Sequence, residues 1–284
     1  MRILRDIKKM QGLASGLRKK AKRIGFVPTM GALHEGHLSL MRKARQENDC
    51  VVVSIFVNPT QFGPKEDFKK YPRNLKRDTL LSKEQGADII FYPDARSMYP
   101  ADYKTYVNVD GLSNALCGKF RPGHFRGVAT VVTKLFNIVQ PVRAYFGQKD
   151  AQQATIIKRM VRDLNIPVEI RILPTVREDD GLAMSSRNSY LSPVERNEAW
   201  VLSGALNLAK DLIKKGNQDS LSIIRRMRQL IKQNKRTKIQ YICVVRPETL
   251  EPVKKIKDKV LIALAVYIGK TKLIDNIVVN FKHA

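Results

Sequence analysis

The sequence predicts an α/β protein. A Rossmann-like parallel-sheet domain is expected over residues 1–176, and a smaller C-terminal α+β domain over 177–284. Three observations predict it. Apolar runs of strand length alternate with stretches of helical period from residue 22 to residue 173. One of those runs, 50–57, is almost entirely Val, Ile and Phe, the pattern of a strand buried on both faces of a parallel sheet. After Asp179-Asp180-Gly181 the alternation stops, and two amphipathic helices are followed by three strands.

The elements follow in order. Residues 22–29 form a strand ending at Pro28 and Thr29. From Gly36 the period becomes helical, with Leu38, Leu40, Met41 and Ala44 near helical spacing. The strand at 50–57 is stopped by Asn58-Pro59-Thr60. A polar helix over 74–85 and a strand over 88–92 come next. An apolar helix over 127–139 is stopped by Pro141. A short strand at 143–146, a helix at 151–164 and a strand at 168–173 complete the first domain. In the second domain, 193–215 and 221–233 read as helices, and 238–245, 260–267 and 273–280 as strands. No internal repeat or low-complexity linker separates the two, so they are expected to be closely joined.

Composition sets the class. The chain has 284 residues, 43% hydrophobic and 27% charged, which fits a globular protein and excludes a disordered one. No apolar run reaches the roughly 18 residues of a membrane span, and residues 1–9 contain no signal-peptide core. A cytoplasmic location with no membrane partner is expected. The three cysteines form no CxxC pair. Cys50 and Cys243 adjoin apolar runs and are expected to be buried, Cys117 to be partly exposed, and none is given a role. The formal charge of +26 suggests affinity for polyanions. It is densest at Arg225, Arg226, Arg228, Lys232, Lys235, Arg236 and Lys238. With no RRM, KH or zinc-finger pattern beside it, this reads as a solvated basic surface with no specific nucleic acid.

Four segments carry chemistry. The first is Met30-Gly31-Ala32-Leu33-His34-Glu35-Gly36-His37, where the first strand hands over to a helix. Ligands of open α/β sheets bind at the carboxyl ends of strands, and a helix N-terminus there suits phosphate. Two histidines three residues apart can donate to phosphate oxygens. The spacing is not that of a zinc-binding HExxH helix, because the first histidine precedes the helix. In this position His-x-Gly-His is similar to the HIGH motif of nucleotidyltransferases. The second segment is Asn58-Pro59-Thr60-Gln61, with two amides at a strand's carboxyl edge. The third is Gly147-Gln148-Lys149-Asp150, with Gln153 three residues into the next helix. Lys149 is a mobile cation for phosphate, and Asp150 a helix cap or a ribose acceptor. The fourth runs from Val176 through Arg177, Met184, Ser185, Ser186 and Arg187 to Asn188. Its hydroxyls and arginine suit a polyphosphate, and it is similar to the KMSKS loop that partners HIGH.

Together with Tyr71-Pro72-Arg73, Arg121-Pro122-Gly123-His124-Phe125-Arg126-Gly127 and Leu273-Ile274-Asp275-Asn276, these segments resemble the pantoate–β-alanine ligase (pantothenate synthetase) family over essentially the whole chain. Departures are mild: Lys272 stands where Arg is common, and Asp179-Asp180 replaces a Pro-Asp pair. The resemblance implies condensation of (R)-pantoate with β-alanine, consuming ATP through a pantoyl adenylate and releasing AMP and pyrophosphate. It implies ATP as co-substrate with Mg²⁺, metal ligands unknown, and a homodimer. It implies that His37 is catalytic and that Gln61 and Gln153 bind pantoate and β-alanine. ATP contacts are implied for Met30, Gly31, Ala32, Leu33, His34, Glu35, Gly36, His37, Gly147, Gln148, Lys149, Asp150, Val176, Met184, Ser185, Ser186 and Arg187. Tyr71 and Arg121 would line the pocket, Asp78 would neighbour Mg²⁺, and the second domain would act as a lid that excludes water. Two alternatives stay open. Another nucleotidyltransferase would share His-x-Gly-His without needing the Gln61/Gln153 amides. A nucleic-acid binder on an old enzyme scaffold rests on charge alone.

Overall fold

The apolar runs pair as parallel strands in a computed structural model that describes residues 1–64 and 66–281. Two units separate. The first comprises Met1–Asn114, Gly118–Gly147 and Ile156–Pro174; the second comprises Ala115–Cys117, Gln148–Thr155 and Thr175–Ala284. The sequence suggested one cut near residue 176. The chain instead contributes 115–117 and 148–155 to the second unit, because their polar groups are satisfied by partners in that unit, as described below.

The first unit carries β1 (Arg2–Leu4), α1 (Ile7–Lys19), β2 (Ile24–Thr29), α2 (Glu35–Glu47), β3 (Cys50–Ile55), α3 (Leu75–Glu84), β4 (Ile89–Phe91), α4 (Ala95–Met98), α5 (His124–Val139), β5 (Arg143–Gly147), most of α6 (Ala151–Asp163) and β6 (Glu169–Leu173). The strand order is β1-β4-β3-β2-β5-β6, and all neighbours run parallel. Leaving aside β1, this is the 3-2-1-4-5 order of a doubly wound sheet. Its order reverses between β2 and β5, so the turns after those strands open at a topological switch point. Val51, Val52 and Val53 of β3 are fully buried, as a two-faced strand requires.

Several elements differ from expectation. The edge strand β1 and helices α1 and α4 have no counterpart in the sequence reading. Helix α1 buries only Met10 and Ala14, too narrow a stripe to stand out, although Asp6 caps it by accepting from the Lys9 N–H at 2.7 Å. Helix α5 begins three residues early, at His124, because Gly123 adopts φ +79° and turns the chain into it. Cys117 is buried rather than exposed: its N–H donates to Gln152 Oε1 at 3.0 Å, and its Sγ lies 3.0 Å from the Tyr241 hydroxyl. Cys50 is buried as expected, which pushes its thiol up to about 11. Cys243 is only half-buried.

In the second unit, the stretch read as one helix divides into α7 (Pro193–Glu198) and α8 (Val201–Lys214). Ser192 and Glu195 form a capping box on α7. Helix α9 (Ser220–Lys232) and strands β7 (Thr237–Val245), β8 (Lys259–Ile268) and β9 (Thr271–Asn280) follow. The strands form an antiparallel sheet in the order β7-β8-β9. Ala205, Leu206 and Ala209 of α8 and Ile223, Met227 and Ile231 of α9 pack with Ile262, Leu264 and Val266 of β8. Burial on α9 recurs every four residues, so Arg225, Arg226, Arg228 and Lys232 are left exposed. Among the described residues no helix is long and apolar enough to cross a membrane.

Candidate active site

The predicted residues fall in two sets. In the first unit, the turn after β2 is fixed from its own backbone upward. Thr29 Oγ1 donates to the Ser54 carbonyl at 2.7 Å and accepts from the Gly31 N–H at 3.1 Å. Gly31 and Ala32 are both left-handed, at φ +82° and +51°. The N–H groups that follow them both face one acidic partner: those of Ala32 and Leu33 donate to the two carboxylate oxygens of Asp78 at 3.0 and 2.9 Å. A Cβ at Gly31 would lie 2.8 Å from Asp78 Oδ2, so glycine is required there for space as well as for φ. Asp78 is 1% exposed and sits in the first turn of α3. Both Asp78 oxygens are thus engaged by backbone donors, a part in shaping the turn that the sequence reading did not give it. Arg77 adds a bond from Nη1 to the Leu33 carbonyl at 3.2 Å.

His34 is the N-cap of α2. Its Nδ1 accepts from the Gly36 N–H at 3.2 Å, and His37 Nδ1 accepts from the His34 N–H at 3.3 Å. The ring centroids are 4.1 Å apart. Because each Nδ1 is an acceptor, the proton of each neutral ring belongs on Nε2. The cap therefore sets both rings as donors at the positive end of a 13-residue helix. Glu35 is drawn aside to Arg42.

The turn after β3 carries Asn58 and Gln61, both buried. Asn58 Nδ2 donates to Gln61 Oε1 at 3.1 Å and to the Gly127 carbonyl at 3.1 Å, while its Oδ1 accepts from Thr60 Oγ1 at 2.9 Å. Gln61 Nε2 lies 3.0 Å from Met30 Sδ, so the first two predicted segments meet. Tyr71 is buried with its ring edge toward Phe62.

Gly147 ends β5 in the first unit, and Gln148, Lys149 and Asp150 form one 3-10 turn in the second. The turn is held by Asn276 of β9, whose Nδ2 donates to the carbonyls of Gln148 at 3.0 Å and Lys149 at 2.8 Å, and whose Oδ1 accepts from Gln148 Nε2 at 3.0 Å. Lys149 Nζ is 3.8 Å from Asp150 Oδ1. Gln153 is the third residue of α6 and half-buried. Its neighbour Gln152 is buried by bonds to Cys117 and to the Ala115 carbonyl.

Residues 176–184 form a narrow hairpin. Met184 N–H donates to the Val176 carbonyl at 3.0 Å and Glu178 N–H to the Leu182 carbonyl at 2.8 Å. Arg177 pairs with Asp275 through two bonds, at 2.7 and 3.0 Å. Burial pushes the Asp275 carboxyl up against the opposing pull of that guanidinium. Asp180 caps Leu182 N–H at 3.0 Å, and the Arg196 guanidinium beside it holds its carboxyl low. Ser185 Oγ accepts from the Arg187 N–H at 3.2 Å and opens the 3-10 turn Ser186–Tyr190. Sequence reasoning gave Asp275 and Asn276 no role. The signal was present: adjacent polar residues interrupt an apolar strand, and a buried polar residue needs a partner. Among the described residues no three His, Cys, Asp or Glu side chains converge as metal ligands.

A family model described as pantoate-beta-alanine ligase matches residues 2–278. A pantothenate synthetase from Caldicellulosiruptor bescii is 58% identical over 282 residues, 99% of this chain and all of the relative. One from Thermosipho melanesiensis is 59% identical over 280 residues, again 99% of this chain and all of the relative. The crystal structure of a Thermus thermophilus pantothenate synthetase matches with a TM-score of 0.92 at 45% identity, covering 98% of this chain and 99% of that one. A Francisella tularensis pantoate-beta-alanine ligase, described as complexed with beta-gamma ATP and beta-alanine, matches with a TM-score of 0.80 at 38% identity, covering 98% and 97%.

Proposed function

This chain belongs to the pantoate–β-alanine ligase family, and we propose which of its residues carry the reaction. The activity is ATP-dependent formation of pantothenate from pantoate and β-alanine. A carboxylate is a poor acyl donor, so the pantoate carboxylate first attacks the α-phosphorus of ATP. The bond to the β-phosphate oxygen breaks and pyrophosphate leaves. The β-alanine amine then attacks the acyl carbon of the adenylate, AMP departs, and the amine proton is lost as the amide forms.

The observation that carries the residue assignment is the double cap of α2. With both Nδ1 atoms accepting backbone N–H bonds, His34 and His37 present Nε2–H donors where phosphate charge grows in the transition state. His37 is the catalytic donor in this reading. Met30, Gly31, Ala32, Leu33, Glu35 and Gly36 complete the nucleotide-binding turn. Gly147, Gln148, Lys149, Asp150, Val176, Met184, Ser185, Ser186 and Arg187 are assigned to ATP as well. Gln61 and Gln153 are assigned to pantoate, whose carboxylate and hydroxyls suit amide donors and acceptors. Mg²⁺ would enter with ATP, held mainly by phosphate oxygens; among the described residues no three His, Cys, Asp or Glu side chains converge on it. Bound there, it would neutralise phosphate charge. A homodimer, checked by sedimentation, and a cytoplasmic location, where ATP is supplied, belong to the same reading.

The test is a coupled assay with each substrate omitted in turn. Pyrophosphate release must require ATP and pantoate, and AMP turnover must also require β-alanine. Release without pantoate would point to another nucleotidyltransferase. Gln61→Ala should weaken pantoate affinity by about 1–3 kcal/mol while ATP affinity is largely kept. The reverse pattern would overturn the assignment of the two substrates.

A further inference from the structure

Gln61 is held from behind by the 121–127 segment, of which only Arg121 was expected to line the pocket. Its backbone carbonyl accepts two bonds, from His124 Nδ1 at 2.7 Å and from Arg121 Nη2 at 3.3 Å. Arg121 Nη1 lies 3.0 Å from His124 Nε2, and its Nε donates to Glu66 Oε1 at 2.6 Å. One helical turn on, Gly127 completes the support. A Cβ there would lie 2.4 Å from the Thr60 carbonyl oxygen and 2.8 Å from the Gln61 nitrogen, so any side chain would push the peptide out. The Gly127 carbonyl also accepts from Asn58, which holds the Gln61 side-chain oxygen. Backbone, side chain and packing of Gln61 thus all trace to residues 121–127.

The network also fixes a protonation state. A carbonyl only accepts, so His124 Nδ1 must carry hydrogen. A guanidinium only donates, so His124 Nε2 must present its lone pair. Only the neutral ring satisfies both. Protonating it sets an N–H against the Arg121 N–H at a 3.0 Å spacing. The ionised groups in its hydrogen-bond chain are the Arg121 guanidinium and, beyond it, the Glu66 carboxylate. Burial would raise the Glu66 carboxyl, but the hydrogen bond and charge of Arg121 outweigh that and hold it low.

We propose that Arg121, His124 and Gly127 are positioning residues that fix Gln61 for pantoate, and that they do so only while His124 is neutral. The inference rests on the reading of Gln61 as a pantoate contact. It makes 121–127 a determinant of pantoate affinity rather than of nucleotide binding. Geometry is sensitive at this level, since a displacement of about 1 Å can cost on the order of 100-fold.

The experiment is steady-state kinetics on full-length Arg121→Lys, His124→Asn and Gly127→Ala, alone and combined with Gln61→Ala, with unfolding midpoints measured alongside. Each single variant should raise the pantoate KM by about tenfold and the ATP KM by less than about twofold. Combined with Gln61→Ala, each should add little, because residues acting through one group are non-additive. The pantoate dissociation constant of the parent should rise as pH falls from about 8 to about 5, where histidine titrates, and by a smaller factor in His124→Asn. Unchanged pantoate KM in folded Arg121→Lys and His124→Asn, equal rises for pantoate and ATP, or full additivity with Gln61→Ala would each overturn the inference. A Gln61→Ala variant with normal pantoate affinity would instead overturn the reading of Gln61 itself, and the inference with it.

Discussion

The turn that carries His34 and His37 and the turn that carries Lys149 are held by opposite chemistry. In the first, two backbone N–H groups are taken by the buried carboxylate of Asp78. In the second, two backbone carbonyls are taken by the neutral amide of Asn276. The first support lies 45 residues away in the chain, the second 127. In both, a side chain absorbs the polar backbone atoms that a bare turn would turn outward. In the proposed reading, the side-chain donors that these turns direct at phosphate are imidazole N–H groups in one case and an ammonium in the other. A glycine-rich loop that cradles phosphate uses its backbone N–H groups directly. Here the N–H groups of the histidine turn are taken by Asp78.

This contrast can be broken by experiment. The largest effect is expected at His37. His37→Ala should slow pantoate-dependent pyrophosphate release by about 100- to 1,000-fold, with a much smaller change in ATP affinity, because the interaction strengthens only in the transition state. Loss of ATP affinity with turnover preserved at saturation would make His37 a ground-state contact.

Asp78→Ala should come next. It leaves two buried N–H groups without an acceptor, at about 1–3 kcal/mol each, read as a drop in unfolding free energy. Asp78→Asn, which keeps one acceptor, should recover part of it. An unfolding curve unchanged in Asp78→Ala would remove the carboxylate from the support of the histidine turn.

Asn276→Ala should then raise the ATP KM by about tenfold, the worth of roughly one lost hydrogen bond, with the pantoate KM little changed. Equal losses for both substrates would mean that Asn276 supports the whole second unit rather than one turn.

A smaller effect is expected with pH at Asp180. Arg196 lowers its carboxyl below the ordinary value, so its stabilising contribution is present above that ordinary value and is lost as pH falls through the lowered one. The pair is partly exposed, which limits the effect to a fraction of about 1 kcal/mol. Asp180→Asn should flatten the acid limb of the unfolding profile, and an unchanged limb would discount the pair.

The smallest effect is expected from replacing Arg225, Arg226 and Arg228 with Gln. These side chains lie on the exposed face of α9, so turnover should stay within about twofold while polyanion binding weakens as charge is removed. A large loss of turnover in folded protein would give that face a part in the reaction.

Much of this was legible along the chain. The Val-rich run at 50–57 announced a strand buried in a parallel sheet, and the helical period from Gly36 announced a helix N-terminus at the sheet's carboxyl edge. Gln61 followed the strand that the sequence placed before it. Less was legible where the signal was weak or distant. Helix α1 buries two small contacts and reads as polar. Cys117 sits in a glycine-flanked loop that looks exposed until Gln152 and Tyr241 are brought to it.

The sequence by itself determined the order of strands and helices, the parallel class of the first sheet and the segments that carry chemistry. Hydrophobic period and turn residues are local properties, and they specify which face of each element is buried. Only the tertiary structure decided who meets whom. Asp78 went to the backbone N–H groups of the histidine turn. Asn276 and Asp275 went to the Lys149 turn and to Arg177, and 121–127 went behind Gln61. A buried polar group must find a partner, but periodicity gives no address for it. That address is set when the sheet order brings segments dozens of residues apart into hydrogen-bonding distance.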